Sequence, residues 1–204
     1  MIEIKEILNN SVYENTICKS KFIAYSFAVH STKEAEDVLN TLKQKHSDST
    51  HICYAFSLIG GIDRAFDDGE PQGTAGKPIL DCIKKSSFCN TLVVVVRYFG
   101  GIKLGAGGLI RAYSGSASKV LALSGENLTI ECKKLSFCVD ISESRFVNKI
   151  CQIQTIKKYK VNYAQIINID IFCSIQDIEN IKDKIKNILN KEIYFEVNPN
   201  VFYV

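Results

Sequence analysis

The sequence predicts an α+β protein of two modules, an N-terminal α/β domain over residues 1–130 and a C-terminal βαββαβ domain over residues 131–204. Three observations carry that prediction. All 12 glycines lie between Gly60 and Gly125, while residues 126–204 contain none and a single proline, Pro199. The glycines gather into two clusters, Gly69/Gly73/Gly76 and Gly100/Gly101/Gly105/Gly107/Gly108, each running into a helix-compatible segment. After Gly125 the hydrophobic period switches between strand-like and helix-like four times without a glycine-rich break.

In the first module, residues 12–29 alternate around Val12, Ile17, Phe22, Ile23, Tyr25 and Phe27, which predicts a hairpin or two successive strands. Ser31 and Glu34 stand at capping-box spacing, and Ala35, Val38, Leu39 and Leu42 follow on one face of a helix reaching about Lys45. His51 to Ile59 is rich enough in β-branched and aromatic residues for a strand, which Gly60-Gly61 ends. Asp63 to Gly76 reads as one long polar loop. Lys77-Pro78 opens a helix, since proline fits a first turn where its missing N–H is not needed. Thr91 to Val96 is an unbroken apolar run, the pattern of a strand covered on both faces. Gly105 to Leu123 then forms a helix closed by Gly125.

In the second module the expected elements are a strand over 134–141, a helix over 142–156, strands over 160–167 and 168–175, a helix over 177–189 and a strand over 192–197. The helical spacing of Phe146/Ile150/Ile153 and of Ile178/Ile181/Ile185/Ile188 supports the two helices. That order is ferredoxin-like.

Composition narrows the function classes. The chain is 46% hydrophobic with a formal charge of +3, so its total charge argues no nucleic-acid role by itself. The distribution says more. Between Asp81 and Glu126 lie Lys84, Lys85, Arg97, Lys103, Arg111 and Lys119 and no acid, whereas Asp63, Asp67, Asp68 and Glu70 crowd the loop before. The 8 cysteines form no C-x-x-C and no paired metal-ligand spacing, which fits free thiols in a reducing compartment. The first residues carry charge and no apolar run, so no secretory signal, no membrane association and a cytoplasmic location are expected. No metal and no cofactor are expected.

The candidate site residues fall in three groups. Arg97, Tyr98, Phe99, Gly100, Gly101, Lys103, Gly105, Gly107, Gly108 and Arg111 interleave cations and aromatics with glycines, a mixture suited to phosphate contacts and base stacking; the alternative is that the rings close the core and the cations stay solvated. Asp67, Asp68, Gly69, Glu70, Gly73, Thr74, Gly76 and Lys77 form an acidic loop whose carboxylates could bind a divalent metal, act as acid and base, sit in a solvated turn, or pair with Arg97, Lys103 or Arg111. The glycines at both helix starts leave unpaired N–H groups where the dipole favours an anion. Neither cluster is a known nucleotide motif: Pro71 and Pro78 occupy positions a Walker A loop reserves for Gly and Ser/Thr, and the second cluster lacks the third glycine of a dinucleotide fingerprint. His51 and Cys53 share a strand face about 7 Å apart, too far for a direct hydrogen bond, and are expected to line a groove or pack in the core.

DDGEPQGTAGKPIL, followed by VVVVRYFGGIKLGAGGLIRAYSGSA and preceded by HICYAF, closely resembles the signature of the YigZ/IMPACT family. The resemblance is dense over residues 51–118. It implies an N-terminal domain similar to the second domain of a small-subunit ribosomal protein and to domain IV of elongation factor G, with a ferredoxin-like tail as in bacterial members. It also implies a role around translation: eukaryotic members regulate a kinase of an initiation factor by competing for its activator, and nucleic-acid binding has been proposed for bacterial ones. Strand-like sequence begins near Val12, so no counterpart of the extra N-terminal domain of eukaryotic members is expected and the kinase role transfers poorly.

The expected function is therefore a non-enzymatic regulator that binds RNA, the ribosome or a translation-associated protein. The alternatives are an enzyme acting on a small phosphorylated or acyl substrate through the acidic loop and His51, and a purely architectural motif with function in the second module.

Overall fold

A computed structural model of the chain describes residues 3–204. In chain order the elements are β1 (Glu3–Ile7), β2 (Ser11–Ile17), β3 (Ser20–Ala28), α1 (Thr32–Lys45), β4 (His51–Leu58), β5 (Ile62–Phe66), α2 (Gly76–Lys85), β6 (Thr91–Tyr98), α3 (Gly105–Ser124), β7 (Glu126–Asp140), α4 (Ser144–Cys151), β8 (Lys158–Tyr163), β9 (Ile166–Cys173), α5 (Ile178–Leu189), β10 (Glu196–Val197) and β11 (Phe202–Tyr203). The architecture is mixed α and β. The chain divides into two compact units, Lys5–Leu128 on one side and Thr129–Val204 with the segment ending at Ile4 on the other. Among the described residues no helix is long and apolar enough to cross a membrane.

The unit Lys5–Leu128 is built on a five-stranded sheet in the order β2-β3-β6-β4-β5, antiparallel at every pairing. The apolar run of β6 takes the middle, where helices cover both faces and every residue from Thr91 to Arg97 is buried. Val93 and Val95 meet Ile79 and Ile83 of α2 and Leu109, Tyr113 and Ala117 of α3 on one face. Val94 and Val96 meet Leu39 and Leu42 of α1 on the other. The helix start read from Ser31 and Glu34 is present, with the Glu34 N–H donating to Ser31 Oγ at 3.1 Å. The return bond comes from the His30 N–H to the Glu34 carboxylate, at 2.8 Å.

Two expectations for the first half of the chain need correction. Residues 63–76 are not one loop, because β5 pairs with β4 over Ile62–Phe66. All five β5 residues are exposed, so this edge strand carries no burial period to read. Gly60 and Gly61, at φ +86° and +79°, are the usable signal: two adjacent residues at positive φ make the tight turn of a hairpin and not merely a strand end. Strand structure also begins at Glu3, ahead of Val12.

In the other unit, β7, β9 and β8 lie side by side, antiparallel, and β10 and β11 pair with β7 along its length. Leu135, Phe137 and Val139 of β7 and Ile167, Ile169 and Ile171 of β9 bury against Val147 and Ile150 of α4 and Ile181 and Ile185 of α5. The order strand, helix, strand, strand, helix, strand holds, with shifted bounds. β7 starts at Glu126, the first helix ends at Cys151, and the expected strand over 192–197 is reduced to Glu196–Val197 followed by Phe202–Tyr203. Pro199 stands between those two short strands, and its missing N–H cannot extend a ladder.

Candidate functional site

The acidic loop between β5 and α2 is held by its own carboxylates. Asp67 accepts from the N–H groups of Gly73 at 2.8 Å, Ala75 at 3.0 Å and Gly76 at 2.8 Å. It thereby caps α2 from eight residues upstream, which the helix needs because Ala75 at its N-cap offers no side-chain acceptor. Asp68 accepts from the Ile52 N–H at 2.6 Å and so ties the loop to β4. The α2 start cannot admit a larger residue at Gly76, where a Cβ would meet the Phe66 backbone at 2.5 Å. Thr74 is buried and donates to the Pro71 carbonyl at 2.6 Å. Lys77 points to solvent and lies 3.7 Å from Asp81.

Glu70 turns inward instead. Its Oε1 accepts from Arg97 Nη1 at 2.6 Å and from the Tyr113 hydroxyl at 2.8 Å, and His51 Nε2 stands 3.9 Å away. Both members of the ion pair are buried, with side-chain exposures of 5% and 4%. Arg97 Nη2 donates to Ser20 Oγ at 3.3 Å, while Arg97 Nε is buried with no hydrogen-bond partner. Burial pushes the Tyr113 phenol well above its ordinary range, so it stays a donor to Glu70. His51 Nδ1 donates to the Asp68 carbonyl at 2.7 Å, which leaves Nε2 as the ring atom toward Glu70. Cys53 donates to the Asp67 carbonyl, and burial pushes its thiol up to about 12, so it is no thiolate nucleophile at neutral pH.

The second glycine cluster starts where β6 ends. A Cβ at Gly100 would overlap the Lys19 backbone, so this position brings the loop against the β2–β3 turn as no other residue could. Gly101 and Gly105 adopt φ +84° and +68°. α3 then begins without a side-chain cap and without an acid in its first turn. Lys103 and Arg111 are exposed, and among the described residues neither is in an ion pair. Phe99 is 45% exposed, and the Arg97 guanidinium lies 5.3 Å from its ring centroid. Tyr98 is engaged elsewhere: its hydroxyl meets His46 Nδ1 at 2.8 Å and donates to Asp48 at 3.3 Å.

These pieces enclose a cleft of about 330 Å³. His51, Glu70 and Arg97 line its inner part, Phe99 and Lys103 stand at it, and Leu104, Gly105 and Ala106 bring the start of α3. The structure thus brings residues from both glycine clusters to one place. It separates Asp67, Asp68, Thr74 and Lys77, which serve the α2 loop, and Tyr98, Gly107, Gly108 and Arg111, which are not in the cleft wall. Sequence reading passed over Ser20 as a member of the site; a serine in a strand carries no local signal.

The chain is similar to several known proteins. The Impact N-terminal domain model matches residues 18–121. An IMPACT family member of Haemophilus influenzae is 36% identical over 155 residues, 74% of this chain and 72% of that protein. The IMPACT family member YvyE of Bacillus subtilis is 49% identical over 112 residues, and YigZ of Escherichia coli 39% over 110. The matched stretch covers 51% of the Bacillus relative and 53% of the Escherichia one. A crystal structure of a hypothetical protein superposes with a TM-score of 0.68 at 23% identity, covering 96% of this chain and 97% of that one, which is a likeness of fold. With a signature that the family model spans and relatives 36% and 49% identical over the matched stretches, the chain belongs to the YigZ/IMPACT family.

Proposed function

We propose that this protein is a non-enzymatic, translation-associated regulator that binds RNA, alone or on the ribosome, through the segment from Phe99 to Arg111. One observation carries the reading. Lys103 and Arg111 stand exposed without ion pairs among the described residues, on either side of the uncapped α3 start and close in sequence to the half-exposed Phe99. Unpaired cations attract phosphate, helix N–H groups orient it, and a free ring offers a stacking surface for a base. The translation context comes from the family resemblance, which also supports reading the two units as the ribosomal-protein second-domain-like fold and the ferredoxin-like module. The acidic loop supports its own fold in this reading, since Asp67 and Asp68 spend their oxygens on backbone N–H groups.

The test is binding of fluorescent single-stranded RNA, double-stranded RNA and purified ribosomal subunits across a salt series, with Lys103→Ala/Arg111→Ala beside the wild type. Log affinity should fall linearly with log salt, by about 0.7 per phosphate for a single strand, and the double variant should lower that slope. Binding that ignores salt, or no binding to any of the three, overturns the proposal.

A further inference from the structure

We propose that the outer edge of β8 docks an extended acidic segment of a partner protein, which adds to the sheet as a further strand and alternates acidic and apolar residues. The edge lies in the unit that holds Thr129–Val204, and the inference does not depend on the reading of the Phe99–Arg111 segment.

Three observations converge on this edge. Among the described residues β8 pairs only with β9, so its other side carries backbone N–H and C=O groups without ladder partners. The strand also lies open: all of its residues but the half-buried Val161 are exposed. Between Glu143 and Asp170 the chain has Arg145, Lys149, Lys157, Lys158 and Lys160 and no acid, and among the described residues none of these cations is in an ion pair. Asp170, opposite Lys160 on β9, is already engaged, since Ser136 donates to it at 2.6 Å and Lys134 stands 3.6 Å away. The edge is therefore positive.

The alternation of the strand decides what kind of chain fits. Successive strand residues point to opposite faces, so Lys158 and Lys160 share one face, and Tyr159, Val161 and Tyr163 share the other. Val161 packs there against the core that holds Ile167, Ile169 and Ile171, and the two tyrosines, 53% and 60% exposed, carry that apolar face out to the edge. A strand added beside β8 meets both rows at once: its backbone completes the ladder, and its alternate side chains lie beside lysines on one face and rings on the other. A nucleic-acid strand laid on one face meets the lysines or the rings but not both, and has no peptide backbone to offer the edge. A second copy of β8 brings its own lysines to the same edge, where like charges oppose pairing. Acids on the lysine side and apolar groups on the tyrosine side are the chemistry this edge selects.

The probe is a blocked synthetic peptide of alternating glutamate and valine, matched in length to the 6 residues of β8. It is compared with its lysine-for-glutamate counterpart, with two forms N-methylated on one or the other alternate set of backbone nitrogens, and with oligouridine. Affinity and location are both read on the full chain by amide NMR titration, with hydrogen exchange of residues 158–163. The glutamate peptide should bind saturably and slow exchange along β8, and the lysine peptide should not bind. Lys158→Glu/Lys160→Glu and Tyr159→Ser/Tyr163→Ser, which change only exposed side chains, should each weaken binding about tenfold. One N-methylated form should fail while the other binds, because only one alternate set of N–H groups faces the edge. Equal binding of the two methylated forms would reduce the contact to charge alone and overturn the inference. So would β8 shifts produced by oligouridine and not by the peptide, or an unmoved β8 with the glutamate peptide in large excess.

Discussion

Arg97, the penultimate residue of the central strand, and Glu70, in the loop before α2, form a buried ion pair of 2.6 Å between the two glycine-rich segments. Phe22, fully buried, lies under the same guanidinium at 5.5 Å from ring centroid to Cζ, and Tyr113 donates to the same carboxylate oxygen. The pair is therefore the point at which the signature becomes one structure, and it is the floor of the cleft as well.

Removing one partner of that pair strands the other as a buried charge. Glu70→Ala should destabilise the protein by about 3–5 kcal/mol in urea unfolding, far more than an exposed ion pair such as Lys77–Asp81 would yield. A loss under about 1 kcal/mol would mean that the pair does not organise the fold.

Asp67 replaces the missing N-cap of α2 and orders the loop that feeds it. Asp67→Ala should cost about 2–3 kcal/mol, because three backbone N–H groups lose a charged acceptor at once. Asp67→Asn, which keeps one acceptor oxygen, should recover part of this. Equal losses in the two variants would point away from the carboxylate as the staple.

Neighbouring glycines should respond differently to alanine. Gly100→Ala drives a methyl into the Lys19 backbone and should cost about 3 kcal/mol or more, since backbone cannot give way as a flexible side chain does. Gly101→Ala meets open space and bears only the strain of φ +84°, about 1 kcal/mol. Calorimetric melting of the two variants side by side checks the order.

His46 links the layers on the other sheet face, with Tyr25 at 2.8 Å from Nε2 and Tyr98 at 2.8 Å from Nδ1. Burial lowers its pKa below the ordinary 6.5, with Lys45 and Lys21 acting in the same sense and Asp48 against them. The unfolded chain then binds the proton more readily than the folded one. The contribution of neutral His46 is full above pH 6.5 and is lost as the pH falls through and below it. The drop in Tm between pH 7.5 and 5.5 should be smaller in His46→Gln than in the wild type, and an equal drop in both would contradict the assignment.

Long periodic segments were open to reading from the sequence alone. The capping pair Ser31/Glu34, the apolar run of β6, the glycine-led start of α3 and the isoleucine spacing of α5 are local patterns, and local hydrogen-bond and burial requirements suffice to fix what they form. The density of the two glycine motifs was enough to identify the family. Tertiary structure alone decided the rest. β5 has no buried face, so only pairing with β4 defines it, and β10 and β11 are too short to show a period. The roles of three neighbouring acids were equally out of reach: Asp67 caps a helix, Asp68 ties down a strand and Glu70 closes a buried ion pair, although all three read alike along the chain. A carboxylate's use depends on which donors the fold brings within about 3 Å, and Arg97 and Tyr113 reach Glu70 from 27 and 43 residues away.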